Sequence, residues 1–229
     1  MQVEVKILSR AFSLSISRFA LKFVPPSQAG FIRGRRLHDH VILMQALQQL
    51  CMSADHDHYV TFLDFSKAYD MGDQGFLFDV LVEMNIGSAF LDWVRLLYDS
   101  PVVRPIFNGD LGPQFTPTRG VKLGCPMLCL LFVLYLKPLG EMLRQQPHLG
   151  IPLPDGDPLT CIFFADDSTV LSCGFPSAVE QMHIVEEFCV VSGAMLNQAK
   201  CMTLVLNDHL NPTDIDDGGL VNVLPSGLP

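Results

Sequence analysis

The chain is short of charge, and what charge it has is mostly of one sign. Charged residues make up 17% of its 229 positions, with 15 Lys and Arg against 24 Asp and Glu, a formal net charge of −9. That balance argues against a surface built for broad phosphate attraction, because nucleic-acid backbones are held largely by Lys and Arg. Long hydrophobic runs are missing as well. None reaches the ~18 residues of a membrane span, and the longest, Met127 to Leu136, suits a buried helix. No membrane partner is expected. Paired cysteines are missing too. Cys51, Cys125, Cys129, Cys161, Cys173, Cys189 and Cys201 form no C-x-x-C pair and no disulfide framework. They read as reduced, buried thiols of an intracellular protein, nuclear or cytoplasmic. There is no Walker loop, nucleophile elbow or internal repeat. His38-Asp39-His40 and His56-Asp57-His58 have no cysteines nearby and no H-E-x-x-H pattern, so solvated histidines are favoured over zinc.

What is abundant is apolar: 49% of the chain, enough core for one large domain or two small lobes. Residues 4–23 carry a helical apolar period that Pro25-Pro26 ends. Lys6, Arg10, Arg18 and Lys22 against Glu4 there mimic a mitochondrial presequence, but a helix cut at its front accounts for them equally well. Gln28 to Arg36 is a basic loop. Leu37 to Cys51 is a helix, and Tyr59 to Leu63 a short strand ending at Asp64. Asp73 caps a helix that Gly87 ends, and Ser88 starts another. Val102 to Phe107 and Gln114 to Thr118 read as strands about an Asn108-Gly109 turn. Pro126 suits the first turn of an apolar helix reaching about Arg144. Cys161 to Ala165 and Ser168 to Ser172 form a hairpin around Asp166-Asp167. Ser177 and Glu180 suggest a capping box for a helix closed by Gly193, and Met202 to Leu206 a last strand. The Asp-, Gly- and Pro-rich residues 207–229 read as a loose tail. The sum is an α+β fold, with helices packed on a mainly antiparallel sheet.

Antiparallel neighbours would bring Asp64, Asp166 and Asp167 to one sheet edge. Clustered carboxylates repel unless cations neutralise them. Mg²⁺ suits such a place, since it takes one or two carboxylates and completes its octahedron with water and substrate phosphates. A pair of ions ~3.5–4 Å apart stabilises both the attacking and leaving oxygens of phosphoryl transfer. Against this, Asp-Asp after a strand is commonly an ordinary turn.

Several segments together resemble the reverse transcriptase domain of non-LTR retrotransposons. They are Q-A-G-F-I-R-G-R (Gln28 to Arg35) with Asp39, L-D-F-S-K-A-Y-D (Leu63 to Asp70), F-N-G-D (Phe107 to Asp110), R-G-V-K-L-G-C-P (Arg119 to Pro126), F-F-A-D-D (Phe163 to Asp167) and S-G-A-M-L-N-Q-A-K (Ser192 to Lys200). They fall in the family's order across residues 5–206. The resemblance implies a right-hand polymerase: residues 1–58 as partial fingers, 59–206 as palm with a finger-like insert around 100–125, and no thumb. It implies an RNA template, a DNA primer and dNTP as partners, with two Mg²⁺ ions, or Mn²⁺, as cofactors. Asp64 and Asp166 would be the principal metal ligands, joined by Asp167 and the Phe65 carbonyl. Tyr69 would wall the sugar against a 2′-hydroxyl. Gly124 and Lys200 would meet the nucleotide. Gln28, Gly30, Phe31, Arg35, Gly120 and Lys122 would serve template and fingers, with Arg33 and Arg36 adding positive charge.

The pattern is also broken. The family usually reads R-Q-G-C-P-L-S-P-L-L-F where this chain has K-L-G-C-P-M-L-C-L-L-F. Leu123 replaces a glutamine that helps position template and nucleotide. The family's earlier fingers segment would lie before Met1. A truncated polymerase domain is therefore the first expectation. A catalytically inactive remnant, or a co-opted nucleic-acid- or protein-binding module that keeps the palm, is the second. A generic metal phosphotransferase would explain the acids but not Gln28 to Arg35.

Overall fold

A computed structural model describes residues 3–98, 101–121, 124–154, 156–207 and 223–224. Its centre is a five-stranded sheet. Strands β1 (Tyr59–Leu63), β6 (Cys161–Phe164), β7 (Asp167–Ser172), β8 (Met202–Val205) and β9 (Val223–Leu224) lie in the order β6-β7-β1-β8-β9. All neighbours are antiparallel except β8 and β9. Side chains alternate across a strand, so β1 serves two cores. Leu63 packs with α7 (Leu128–Arg144) and α8 (Phe175–Ser192) on one face, whereas Val60 meets Leu47 and Cys51 of α3 (Leu37–Cys51) on the other.

Helix α7 is the hub of the larger core. Leu130 to Leu136 are all buried, with Leu139 and Leu143 continuing the stripe. Truncating Leu134, which is fully buried, to alanine leaves a cavity that such a packed interior closes only in part. The expected cost is about 3 kcal/mol, read as a lower urea midpoint at an unchanged slope.

Helix α3, strand β1 and the Asp73 cap form as their sequences dictate: the Asp73 carboxylate accepts the Phe76 N–H at 2.9 Å, starting α5 (Gln74–Glu83). Helix α6 (Ser88–Tyr98) follows. Other expectations shift. The helix over 4–23 is two pieces, α1 (Val3–Ser17) and α2 (Ala20–Phe23). Ser15 and Ser17 turn their hydroxyls onto the Ala11 and Leu14 carbonyls near the break, the back-bonding that bends helices. The 102–118 ribbon is shorter than expected. Only β2 (Ile106–Phe107) and β3 (Asp110–Leu111) pair around the left-handed Asn108-Gly109 turn, with Val103 and Phe115 bridged further out. Pro105 and Pro113 interrupt the rest, since proline cannot donate to a ladder.

Helix α7 starts at Leu128, two residues past Pro126. Ser177 is not a cap. Helix α8 starts earlier, behind Gly174, because Pro176 is pre-set for a first turn. A small hairpin of β4 (Ile151–Leu153) and β5 (Gly156–Leu159) was hidden by its prolines. Within the expected loose tail, Val223–Leu224 is a parallel edge strand, and residues 208–222 and 225–229 lie outside the described residues. Among the described residues, no helix is long and apolar enough to cross a membrane.

Candidate active site

Three segments converge at one end of the sheet. Asp64 follows β1, and its carbonyl accepts the Asn197 N–H at 2.7 Å. Its own N–H reaches Cys201 Sγ at 3.5 Å. Ser66 N–H donates to the Met195 carbonyl at 2.7 Å, so residues 195–197 run antiparallel beside Asp64 to Ser66. The third segment is the β6–β7 turn. Phe164 pairs with Asp167 across it, leaving Ala165 and Asp166 at the tip, with Ala165 left-handed at φ 59°. Because Leu63 pairs with Ser168, the next step along each strand sets Asp64 beside Asp167.

Asp64, Phe65, Lys67, Tyr69, Asp166 and Lys200 share the lining of one open cavity of about 640 Å³. Asp167 opens instead on an adjoining groove of about 550 Å³ between the sheet and α3, beside Phe62, Phe164 and His40. Asp167 begins β7 on the face it shares with Phe62 and Phe164, whereas Asp166 lies in the turn and joins Asp64 in the cavity. The Asp167 carboxyl titrates above its ordinary range, first through burial and then through the charges of Asp166 and Asp64. Asp167 therefore feels the charge of both its neighbours, and a cation nearby would relieve it.

Tyr69 lies in the short helix α4 (Ala68–Met71). Its hydroxyl donates to Asp166 Oδ1 at 2.9 Å, and its ring lies 4.5 Å from that of Phe132. Burial, and then the hydrogen bond to Asp166, drive its phenol well above the usual range. Lys200 Nζ stands 4.0 Å from Asp64 Oδ2, both side chains well exposed. In bulk-like solvent that pairing is weak, so the ammonium stays free to meet another anion.

Several candidate residues have structural engagements. The Gln28 side chain points inward, hydrogen-bonded to Gly30 and Ala165. Arg35 gathers the carbonyls of Val24, Pro25 and Gln28 with its guanidinium. Phe31 is exposed, with a left-handed backbone at φ 58°. Gly120 packs on α4: its N–H donates to the Gly72 carbonyl at 2.7 Å, and an added Cβ would lie 2.6 Å from the Asp70 carbonyl oxygen. Gly124 is left-handed and open to solvent. Lys122 and Leu123 lie outside the described residues.

Cys129, which stands where the family's pattern has a proline, has its thiol raised by burial and by the charge of Asp166. His56 is solvated as expected, but His58 is buried, its ring stacked on that of His56 at 4.7 Å. Among the described residues no three His, Cys, Asp or Glu side chains converge closely enough to enclose a metal by themselves. A cage made only of protein donors does not fit this site. A cation held by two carboxylates, with water and phosphate oxygens completing its shell, does fit.

A central antiparallel sheet backed by helices, with two acids from β1 and the β6–β7 turn sharing a cavity, defines the palm of a right-hand polymerase. The family model "Reverse transcriptase (RNA-dependent DNA polymerase)" matches residues 1–213, and the chain belongs to that family. It is 24% identical over 206 residues to the "Transposon TX1 uncharacterized 149 kDa protein" of Xenopus laevis, covering 90% of this chain and 16% of that one. It is 28% identical over 185 residues to the Pol polyprotein of the type-2 retrotransposable element R2DM of Drosophila melanogaster, covering 78% and 17% respectively. The chain thus spans about one sixth of the length of these relatives. Among solved structures, telomerase from Candida tropicalis superimposes with a TM-score of 0.65 at 9% identity, covering 85% of this chain and 33% of that one. Telomerase from Candida albicans gives 0.59 at 11%, covering 91% and 34%. These similarities establish the palm-and-fingers fold.

Proposed function

We propose that this domain catalyses RNA-directed DNA synthesis, joining a dNTP to a primer 3′-hydroxyl with loss of pyrophosphate, as part of a longer retroelement protein. The observation that carries the reading is Asp64 and Asp166 lining one cavity with Tyr69 and Lys200 on its walls. Divalent metal, Mg²⁺ as a pair of ions or Mn²⁺ in its place, would supply charge neutralisation and an activated 3′-oxygen. Asp64 and Asp166 would hold it, with Asp167 adding negative charge from the neighbouring groove. The Phe65 backbone suits a further ligand. Ser66 N–H and the Asp64 carbonyl are the groups bonded to 195–197, so the Phe65 carbonyl faces away from that segment, as in any non-hydrogen-bonded antiparallel pair.

On this reading the Tyr69 ring, braced by Phe132, lies under the sugar and excludes a 2′-hydroxyl. Lys200 meets the triphosphate. Residues 1–58 act as partial fingers and 59–206 as palm, with a finger-like insert around 100–125. Gly120 supports the template loop by holding it to α4. Phe31, Arg33 and Arg36 are solvent-facing on the fingers loop and available to an RNA template.

The net charge of −9 favours a second reading, a palm kept as a binding module without catalysis. Primer extension separates them. With Mg²⁺, poly(rA)/oligo(dT) and labelled dTTP, the first reading expects templated extension that stops when poly(rA) is withheld. Binding of the duplex with incorporation at background supports the second.

A further inference from the structure

The Gln28 carboxamide has no free face for a template. The residue is 4% exposed, and its Oε1 accepts two backbone N–H groups, from Gly30 at 2.8 Å and from Ala165 at 3.0 Å. Two donors on one atom require the carbonyl oxygen there. Ala165 directly precedes Asp166 and is held left-handed at φ 59°, a conformation unfavourable for alanine. Around it the chain is laid down like an extra strand. Ala29 N–H donates to the Phe163 carbonyl at 2.8 Å, and Phe163 N–H to the Ser27 carbonyl at 2.7 Å. Gly30 comes so close that an added Cβ would lie 2.2 Å from Ala165 N. From the outer side, Arg35 ties the carbonyls of Val24, Pro25 and Gln28 together, and Arg144 Nη1 donates to Ser27 Oγ at 2.8 Å.

We propose that Gln28 is a positioning residue: its carboxamide holds the Ala165 turn so that Asp166 points into the cavity with Asp64. This rests on the proposed metal-dependent reading of that cavity. The basic loop thus has two parts. Its exposed arginines remain available to a ligand, while Gln28, Gly30 and Arg35 form a clamp on the catalytic turn. Losing a residue that orients a metal ligand without touching the metal typically costs about 10–100-fold in metal affinity.

The test is Mn²⁺ binding, followed by electron paramagnetic resonance of the free ion, with thermal melting in parallel. Gln28→Met keeps the side-chain length and removes the acceptor. It is expected to raise the Mn²⁺ dissociation constant about tenfold. Ser27→Ala loosens the same loop without touching Ala165 and is expected to leave Mn²⁺ affinity unchanged. Gln28→Met combined with Ala165→Gly is expected to recover most of the affinity, because glycine adopts the left-handed turn unaided. Should Gln28→Met not fold, Gln28→Asn, which withdraws the amide by one methylene, is read in the same assay. Equal loss in Gln28→Met and Ser27→Ala, a lower melting temperature with unchanged Mn²⁺ binding, or no rescue by glycine would each overturn the proposal, as would a wild type that binds no Mn²⁺. Wild-type binding that depends on Asp64 without primer extension would instead count against the polymerase reading and leave the clamp standing.

Discussion

Asp166→Asn is expected to lower dNMP incorporation by about 10³-fold, the equivalent of ~4 kcal/mol of transition-state stabilisation. Asparagine keeps the size and shape of the side chain and can still accept from Tyr69. What it loses is the negative charge that would hold a cation against the reacting oxygens. Asp64→Asn is expected to do the same, because the two acids share one cavity. The double variant should be little worse than either single one, since groups acting as a unit are far from additive. Asp167→Asn is expected to be milder, because Asp167 opens on the adjoining groove. Single-turnover incorporation with Mg²⁺ on poly(rA)/oligo(dT) measures all four. Equal losses for Asp166→Asn and Asp167→Asn would contradict the division of labour between the two neighbours.

The second large effect is on sugar choice. A wall that merely excludes an added hydroxyl discriminates by about 10². Tyr69→Ala is therefore expected to cut the preference for dTTP over UTP by up to that factor, with a smaller loss in dTTP incorporation itself. Tyr69→Phe separates the ring from the hydroxyl. The wall stays braced on Phe132, so selectivity should hold. The hydrogen bond to Asp166 Oδ1, 2.9 Å long, is lost, and the carboxylate no longer has to give up a partner when it takes a cation. Half-saturating Mg²⁺ should then fall several-fold, since hydrogen bonds to charged groups contribute about 1.5–3 kcal/mol. Selectivity lost equally in both variants would show that the hydroxyl, and not the ring, makes the filter.

The pieces that were legible in the sequence are those whose cause is local. Helix α3 runs over Leu37–Cys51 and strand β1 over Tyr59–Leu63, as apolar periodicity and β-branched composition dictate. The Asp73 cap and the Gly193 terminus are set by the residues beside them. What was not legible depends on competition or on distance. Serine hydroxyls bend the first helix, prolines fragment the ribbon after Pro101, and Pro176 takes the helix start away from Ser177.

For the site, the acids, Tyr69 and Lys200 could be named from motif order, and the fold brings Asp64, Tyr69, Asp166 and Lys200 to one cavity. The inward turn of Gln28 could not be read, because its partner Ala165 lies far along the chain and the bond is made to backbone. Arg35 looked like a fingers cation for the same reason. Nothing in its neighbours announces that three carbonyls are folded around it. The separation of Asp166 from Asp167 depends on where the turn ends, with Asp166 at its tip and Asp167 already paired to Phe164, and nothing in F-A-D-D announces that boundary.

On the proposed reading, Asp64 and Asp166 together hold a catalytic divalent cation. Mn²⁺ titration of the wild type, Asp64→Asn and Asp166→Asn, each at the same protein concentration and followed by the paramagnetic signal of free ion, tests it most directly. The wild type is expected to bind Mn²⁺, with a dissociation constant at least tenfold higher in each variant. Wild-type affinity retained in either variant would contradict that reading.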